Sequence, residues 1–277
     1  MISLQDKIVL ITGASRGIGA ATAREFVAAG ARVALVARSS DALTQLAAEL
    51  GAARACAISA DLTDPASAAR IVAQTLAMFG RADVLINNAG IGYRAALLRA
   101  RPDQIAQVFG VNVFGALALT QHVARQMQTQ GGGHVINVLT TASRIPIPFQ
   151  GIYGASKAAF EMLTDTLRIE LARSQVVVTG IYPGTVATTF NQNALREGET
   201  AAILEEYRAD TSVQAVAHAI MRAAQQRPRA TWLSGRGRRY VIASVLFPTW
   251  LDARMAETRD ALEPPPPQTW DHLFKNS

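Results

Sequence analysis

A single cysteine, Cys56, stands in 277 residues. That excludes an internal disulfide framework and fits a reducing compartment. The four histidines, at 122, 134, 218 and 272, are scattered without ligand-like spacing, so no metal site is expected. No apolar run reaches the roughly 20 residues that a bilayer span needs. The N-terminus enters a strand pattern within a few residues, with no charged region leading to an apolar core and cleavage site, and a cytoplasmic location is the expectation. Lysine is scarce: Lys7, Lys157 and Lys275 stand against twenty-four arginines. Acids are missing from Gln225 to Arg239, where five arginines fall, and the formal net charge is +6. Such a cluster can attract nucleic acid or an anionic surface. Aromatic residues are not interleaved there in a way that suggests base stacking, so it reads as a solvated arginine-rich face and no nucleic-acid partner is expected.

Hydrophobic residues make up 49% of the chain, enough to bury a substantial core. Apolar strand-like runs alternate with helix-period segments. "KIVLIT", "RVALVA", "RACAISA", "DVLINN", "HVINVL" and "VVVTGIY" read as six strands and "ATWL" as a short further one. The helices expected between them cover about 17–29, 41–50 (with Ser40 as cap), a segment from Pro65 to Phe79, 104–129, 153–173 and 212–226. Continuous apolar strands alternating with helices indicate an α/β class with a doubly wound parallel sheet. One domain over 1–235 is predicted, with a polar, partly helical, strandless segment after Pro183 and a helical cover over the substrate near 189–226. Residues 236–277 read as a C-terminal extension. In it, "YVIASVLFPTWL" is too short to span a bilayer and Pro248 interrupts it. It reads as packing on its own domain or a neighbouring subunit, with contact to a membrane surface as the minor alternative. "PPPP" at 264–267 marks an extended tail.

Between the first strand and the first helix lies "TGASRGIG". Glycines 13, 17 and 19 let the backbone approach a phosphate closely, and the helix behind offers unpaired N–H groups and a positive dipole end. This is neither the P-loop pattern nor GxGxxG. Its placement, strand then turn then helix, is the context that fits dinucleotide binding. A second constellation is "YGASK": Tyr153 and Lys157 at i and i+4 share one helix face. A tyrosine titrates near 10, so a nearby ammonium is expected to lower it into the working range. Asn112 interrupts a helical stretch, where asparagine is a poor interior residue.

"TGASRGIG", "NNAG" at 87–90, Asn112, "YGASK" and "PGTVAT" at 183–188 together resemble the short-chain dehydrogenase/reductase family, over about residues 5–235 and in the family's order and spacing. The resemblance implies a single-domain Rossmann fold and reversible hydride transfer between NADP(H) and a small-molecule carbonyl/alcohol pair. It implies Tyr153 as acid/base, Lys157 tuning it and holding the nicotinamide ribose, and Asn112 holding a water of a proton relay. The family has a serine thirteen residues before the tyrosine. Here that position is Thr140, whose hydroxyl can still donate to a carbonyl oxygen while its methyl crowds the pocket. Thr141 and Ser143 fall off that register and remain as substitutes. Cofactor contacts are implied for Gly13, Ser15, Arg16, Gly17, Ile18 and Gly19, for Asp61 and Leu62, for Asn88, Ala89 and Gly90, for Tyr153 and Lys157, and for Pro183, Gly184, Val186 and Thr188. At the end of the second strand no acid stands to hold a ribose. Arg38 does, with Arg16 in reach of the same region, and this pair favours a 2′-phosphate. The expected pocket walls, Ile91, Tyr93, Ile145, Ile147, Phe149, Val186 and Phe190, favour a hydrophobic or aromatic substrate. A homodimer or homotetramer is implied. The rival reading is a non-catalytic dinucleotide-sensing protein on the same fold.

Overall fold

The computed structural model describes residues 1–197 and 209–262. Seven parallel strands form one sheet in the order β3-β2-β1-β4-β6-β7-β9. They are β1 (Ile8–Thr12), β2 (Arg32–Ala37), β3 (Ala55–Ser59), β4 (Val84–Asn87), β6 (Gly133–Val138), β7 (Val176–Tyr182) and β9 (Ala230–Trp232). The strand order reverses between β1 and β4, which pair in register from Val9↔Val84 to Ile11↔Ile86. A crevice therefore opens at the carboxyl ends of these strands, where a doubly wound sheet binds ligands. The loops after β1, β2, β3, β4, β6 and β7 all end there.

The strands are apolar on both faces because helices cover both. Val9, Ile11, Val33, Leu35, Ile86 and Ile136 pack with Phe26 of α1 (Gly17–Ala28), Leu43 of α2 (Ser40–Leu50) and Val216 and Ile220 of α7 (Val213–Gln226). The alternate residues Leu10, Val36, Leu85, Val135 and Val178 pack with Ile71 of α3 (Ser67–Phe79) and Leu119, Val123 and Met127 of α5 (Ala116–Thr129). This is the period of two read from both sides of one sheet.

Several boundaries differ from the sequence reading. The residue capping α2 is Ser39, and α3 begins at Ser67, so Pro65 lies in the turn before it. The stretch 104–129 is not one α-helix: α4 (Pro102–Phe109) passes through a π-helical turn at Gly110–Gly115 into α5. The segment after Pro183 does contain a strand. β8 (Leu195–Arg196) pairs in parallel with β5 (Tyr93–Arg94), because Leu195 joins the apolar cluster around Tyr93 and Val108. Of the expected substrate cover, α7 lies against α1 as part of the helix layer, its apolar face being taken by the sheet core. Residues 198–208 of that cover, and the proline run, lie outside the described residues. α6 (Gly151–Glu170) carries Tyr153 and Lys157. The chain continues through α8 (Gly235–Leu246) and α9 (Pro248–Leu262).

His134 on β6 is 1% exposed, and its Nε2 meets Thr179 Oγ1 at 2.8 Å. Burial depresses its pKa from 6.5 to about 3. As the pH falls below about 6.5 the unfolded histidine binds a proton that the folded one refuses, so stability is lost at up to about 1.4 kcal/mol per pH unit. His134→Gln should flatten this acid limb. The check is the urea midpoint of parent and variant from pH 7 to pH 4; parallel declines would show that His134 is not the cause.

Candidate active site

The glycine turn between β1 and α1 is shaped for close approach. Gly13 and Gly17 have φ of +65° and +55°, which an L side chain rarely adopts. A Cβ at Gly13 would come within 2.9 Å of Ala89 Cα, and one at Gly19 would collide with the carbonyl of Gly13. Asn88 closes the turn from β4: its Nδ2 donates to Thr12 O (2.9 Å) and Gly13 O (3.2 Å). Thr12 was not singled out from the sequence. Its Oγ1 accepts from the backbone N–H of both Asn88 and Ala89, each at 3.0 Å, so one strand-end hydroxyl ties the two loops together. A polar residue ending an apolar strand was the available signal.

Across the crevice, the loop after β7 reaches back. A Cβ on Gly17 would sit 3.7 Å from the methyl of Thr188. Pro183 is buried, and Gly184 is hemmed in by Asp210 and Ser234. Ile18 and Val186 both pack on the edge of the sheet core, and Ser15, in the same turn as Ile18, is half-buried. At the β3 end, Asp61 Oδ1 accepts from Thr63 N (2.9 Å) and Thr63 Oγ1 (2.8 Å), fixing that loop. Leu62 rests against the π turn, so closely that a Cβ at Gly115 would strike its carbonyl.

Arg38 is exposed at the end of β2 and forms no ion pair among the described residues. Arg16 Nη1 donates to Asn193 Oδ1, on the loop after β7, at 3.2 Å.

The π turn holds Asn112 at 1% exposure. Its Oδ1 accepts from Ile91 N (2.8 Å), and its Nδ2 donates to Ile91 O (3.0 Å) and Ser156 Oγ (3.0 Å). All three contacts fix it between the loop after β4 and α6. Ser156, three residues past Tyr153, was also missed from the sequence. Such single-turn π insertions concentrate at functional sites. Lys157 lies alongside, 5% exposed, with Nζ donating to Val138 O at 2.9 Å. Gly90 faces both groups: a Cβ there would be 3.3 Å from Asn112 Oδ1 and 3.6 Å from Lys157 Nζ. Burial lowers the lysine from 10.5 to about 8.

Burial pushes the Tyr153 phenol up to about 12, with a hydrogen bond from the Thr140 hydroxyl pulling the other way. This corrects the expectation that Lys157 brings the phenol down. In the protein alone desolvation wins, and the ammonium is itself weakened by the same burial. The three hydroxyls upstream are sorted by geometry. Thr140 Oγ1 accepts from Ala142 N at 3.2 Å, so its own proton is left for Tyr153. Ser143 Oγ is engaged by Thr140 O (2.7 Å) and by Glu161. Thr141 turns to α8, where a Cβ on Gly237 would come within 2.7 Å of its methyl.

Glu161, one turn beyond Lys157, is a further residue the sequence reading missed. It is 5% exposed and accepts from Ser143, from Arg144 and from Tyr182 Oη (2.8 Å). It clamps the turn bearing Thr140 to the helix bearing Tyr153. Among the expected walls, Phe190 tilts against the Tyr153 ring with centroids 5.6 Å apart. Tyr93 does not line the crevice. It is 1% exposed, and its hydroxyl accepts from Arg101 N in a side cluster. Ile145 packs instead under Val241 of α8 and Leu251 of α9.

Comparison with known proteins agrees with this geometry. The sequence pattern of the short chain dehydrogenase family matches residues 7–199. A bovine protein, dehydrogenase/reductase SDR family member 7B, is 38% identical over 212 residues, 73% of this chain and 65% of its own. The match thus spans just under two thirds of that relative's length. A short-chain dehydrogenase/reductase from Burkholderia phymatum, solved in complex with NAD, superposes with a TM-score of 0.79 at 25% identity over 96% of this chain and 99% of its own. A metagenomic short-chain oxidoreductase solved in complex with NADP gives 0.71 at 29% identity over 84% and 98%. The chain belongs to the short-chain dehydrogenase family.

Because Glu161 serves three donors, Glu161→Ala should cost about 3 kcal/mol of stability, the range for breaking a buried charged network. Chemical denaturation measures it. A loss below about 1 kcal/mol, the worth of one ordinary hydrogen bond, would show that the turn is held by other contacts.

Proposed function

We propose that the protein is an NADP(H)-dependent oxidoreductase that interconverts a hydrophobic or aromatic ketone or aldehyde and its alcohol. The observation that carries this reading is the pairing of the Thr140 and Tyr153 hydroxyls above a buried lysine that forms no ion pair among the described residues. The glycine turn and the N-terminus of α1 fit a dinucleotide: glycine at 13 and 19 lets the turn fold tightly against Ala89 and the Gly13 carbonyl, and a Cβ at Gly17 would meet only the Thr188 methyl at 3.7 Å, which leaves room beside the helix N-terminus. When bound, that cofactor supplies the hydride and, in its oxidised form, a positive ring.

The side chains then divide the remaining tasks. In the reductive direction Thr140 donates to the carbonyl oxygen and fixes it, and Tyr153 delivers its proton to the developing alkoxide. The phenolate left behind is stabilised by the Lys157 ammonium. With a pKa of about 8, Lys157 is roughly nine-tenths charged at pH 7. Asn112 and Ser156 keep the relay side of the lysine in place. Ile91 and Phe190 offer an apolar surface beside the phenol, which favours an apolar substrate.

The 2′-phosphate preference rests on Arg38, exposed at a strand end that lacks an acid. The related structures include both an NAD and an NADP complex. A homo-oligomer is part of the reading, supported by exposed Phe114, Met162 and Ile169 on and beside the two helices that follow β4 and β6. A cytoplasmic setting is part of the reading, supported by the lone cysteine, Cys56, since a chain with one cysteine builds no internal disulfide.

Two experiments test the chemistry. Thr140→Val keeps the branched shape and should lose roughly 100- to 1,000-fold in kcat, the usual worth of a donor to a developing oxyanion. Thr140→Ser should remain active, and Tyr153→Phe should be nearly inactive while still binding NADPH. Consumption of NADPH over a panel of apolar ketones reads all three; a Val variant as fast as the parent sinks the assignment. For the cofactor, Arg38→Asp should raise the KM for NADPH far more than that for NADH. Equal changes in the two constants would show that Arg38 does not read the phosphate.

A further inference from the structure

α8 and α9 meet at Phe247 and Pro248, and the corner between them concentrates exposed apolar side chains. Ile242 is 49% exposed, Val245 76%, Leu246 63%, Phe247 61% and Trp250 56%. This is not an undocked helix. Val241 and Leu251 are buried with Ile145, Ser234 caps α8 through Gly237 N (2.9 Å), and Gly237 abuts Thr141. The inner side of the corner is anchored and the outer side is left bare.

Charge is arranged along the same element. Arg236, Arg238 and Arg239 occupy the first turn of α8 and are exposed; the apolar residues follow in its later turns. At ~1.5 Å per residue, Arg239 and Phe247 lie about 12 Å apart along the axis. An open cavity of about 650 Å³ lies on this side, lined by Arg236, Arg239, Tyr240, Ala243, Phe247 and Trp250. Arg236 is paired with Asp210 at 3.8 Å, Glu257 is paired with Arg254, and Asp252 falls about 200° around α9 from Trp250. Arg238 and Arg239 form no ion pair among the described residues.

We propose that this corner docks on an anionic bilayer surface. Ile242, Val245, Leu246, Phe247 and Trp250 enter the boundary between headgroups and acyl chains, while Arg238 and Arg239 contact lipid phosphates. The separation along α8 matches the depth of that boundary, and burial of an apolar edge with basic flanks is the physics of interfacial helices. No described helix is long and apolar enough to cross the membrane, so the contact is one of surface insertion. A second copy is the poorer occupant: a two-fold contact centred here would set the three arginines against their own copies. The inference is independent of the chemistry at Tyr153.

Flotation of the full chain at physiological salt tests it, with vesicles of phosphatidylcholine alone or mixed with phosphatidylserine. The protein should float with the mixed vesicles only. Phe247→Ser combined with Trp250→Ser should weaken partitioning by about tenfold or more, and Arg238→Gln with Arg239→Gln by roughly fivefold per arginine. All four positions are exposed, so both variants should melt with the parent and keep its oligomeric state. The proposal is overturned if the parent does not float, if it floats equally on phosphatidylcholine, or if neither variant weakens. It is also overturned if sedimentation without lipid shows the apolar variant losing subunits, since the corner would then be a contact between copies.

Discussion

A single buried ammonium organises the site. Lys157 has no ion pair among the described residues and only the carbonyl of Val138 as a direct acceptor. Holding a charge in such a place is unfavourable, and the fall of its pKa to about 8 measures that. An arginine could not occupy the position as usefully: its charge is spread over a planar fork, and it does not titrate. In a chain that uses arginine almost everywhere else, the lysine stands where a compact ammonium that titrates near neutrality is wanted. The end of β6, the loop after β4 and α6 are all positioned around it, with Gly90 kept small so that Asn112 and Lys157 can lie side by side.

The π turn is the second constraint, and it follows from the first. A regular helix through Gly110–Gly115 would rotate Asn112 away from Ile91 and Ser156. The wider turn presents the amide to both. The same turn needs glycine at its ends. Thr63 lies against Gly110 and Leu62 against Gly115, so the loop after β3 rests directly on the element that carries Asn112. The loop after β3 and the turn that carries Asn112 therefore support each other. A side chain added at Gly115 would push against the Leu62 carbonyl, and the disturbance would reach both.

The sheet was legible in the sequence because seven apolar runs alternate with helical segments, a pattern that neighbours cannot easily override. Glycines 13, 17 and 19 and the Tyr153–Lys157 spacing were legible for a similar reason: each depends on local backbone geometry. What depended on three-dimensional surroundings was not. The π turn uses residues that also suit an α-helix. The two-residue pairing of β5 with β8 has no periodicity to detect, and it exists because Leu195 finds the Tyr93 cluster. Arg16 finds its acceptor in Asn193, far away in the chain. The phenol pKa was misjudged in sign, since i, i+4 spacing reports the partner while desolvation depends on everything packed around the ring.

Glu161 decides how the hydroxyls of the β6 loop divide their work. Its carboxylate lies one helical turn past Lys157, so it could have paired with the ammonium across i, i+4. It faces Ser143, Arg144 and Tyr182 instead, and Arg144 in turn lies over the stacked rings of Tyr182 and Trp232. This arrangement removes a negative charge from the neighbourhood of Tyr153, where it would oppose formation of a phenolate. It also occupies Ser143. Of the three hydroxyls, the one bonded to the phenol is that of Thr140. The branched side chain, restricted about χ1 and anchored by Ala142 N, holds that hydroxyl in one direction. A serine would reach the same atoms with more freedom, so the threonine trades room in the pocket for a fixed donor.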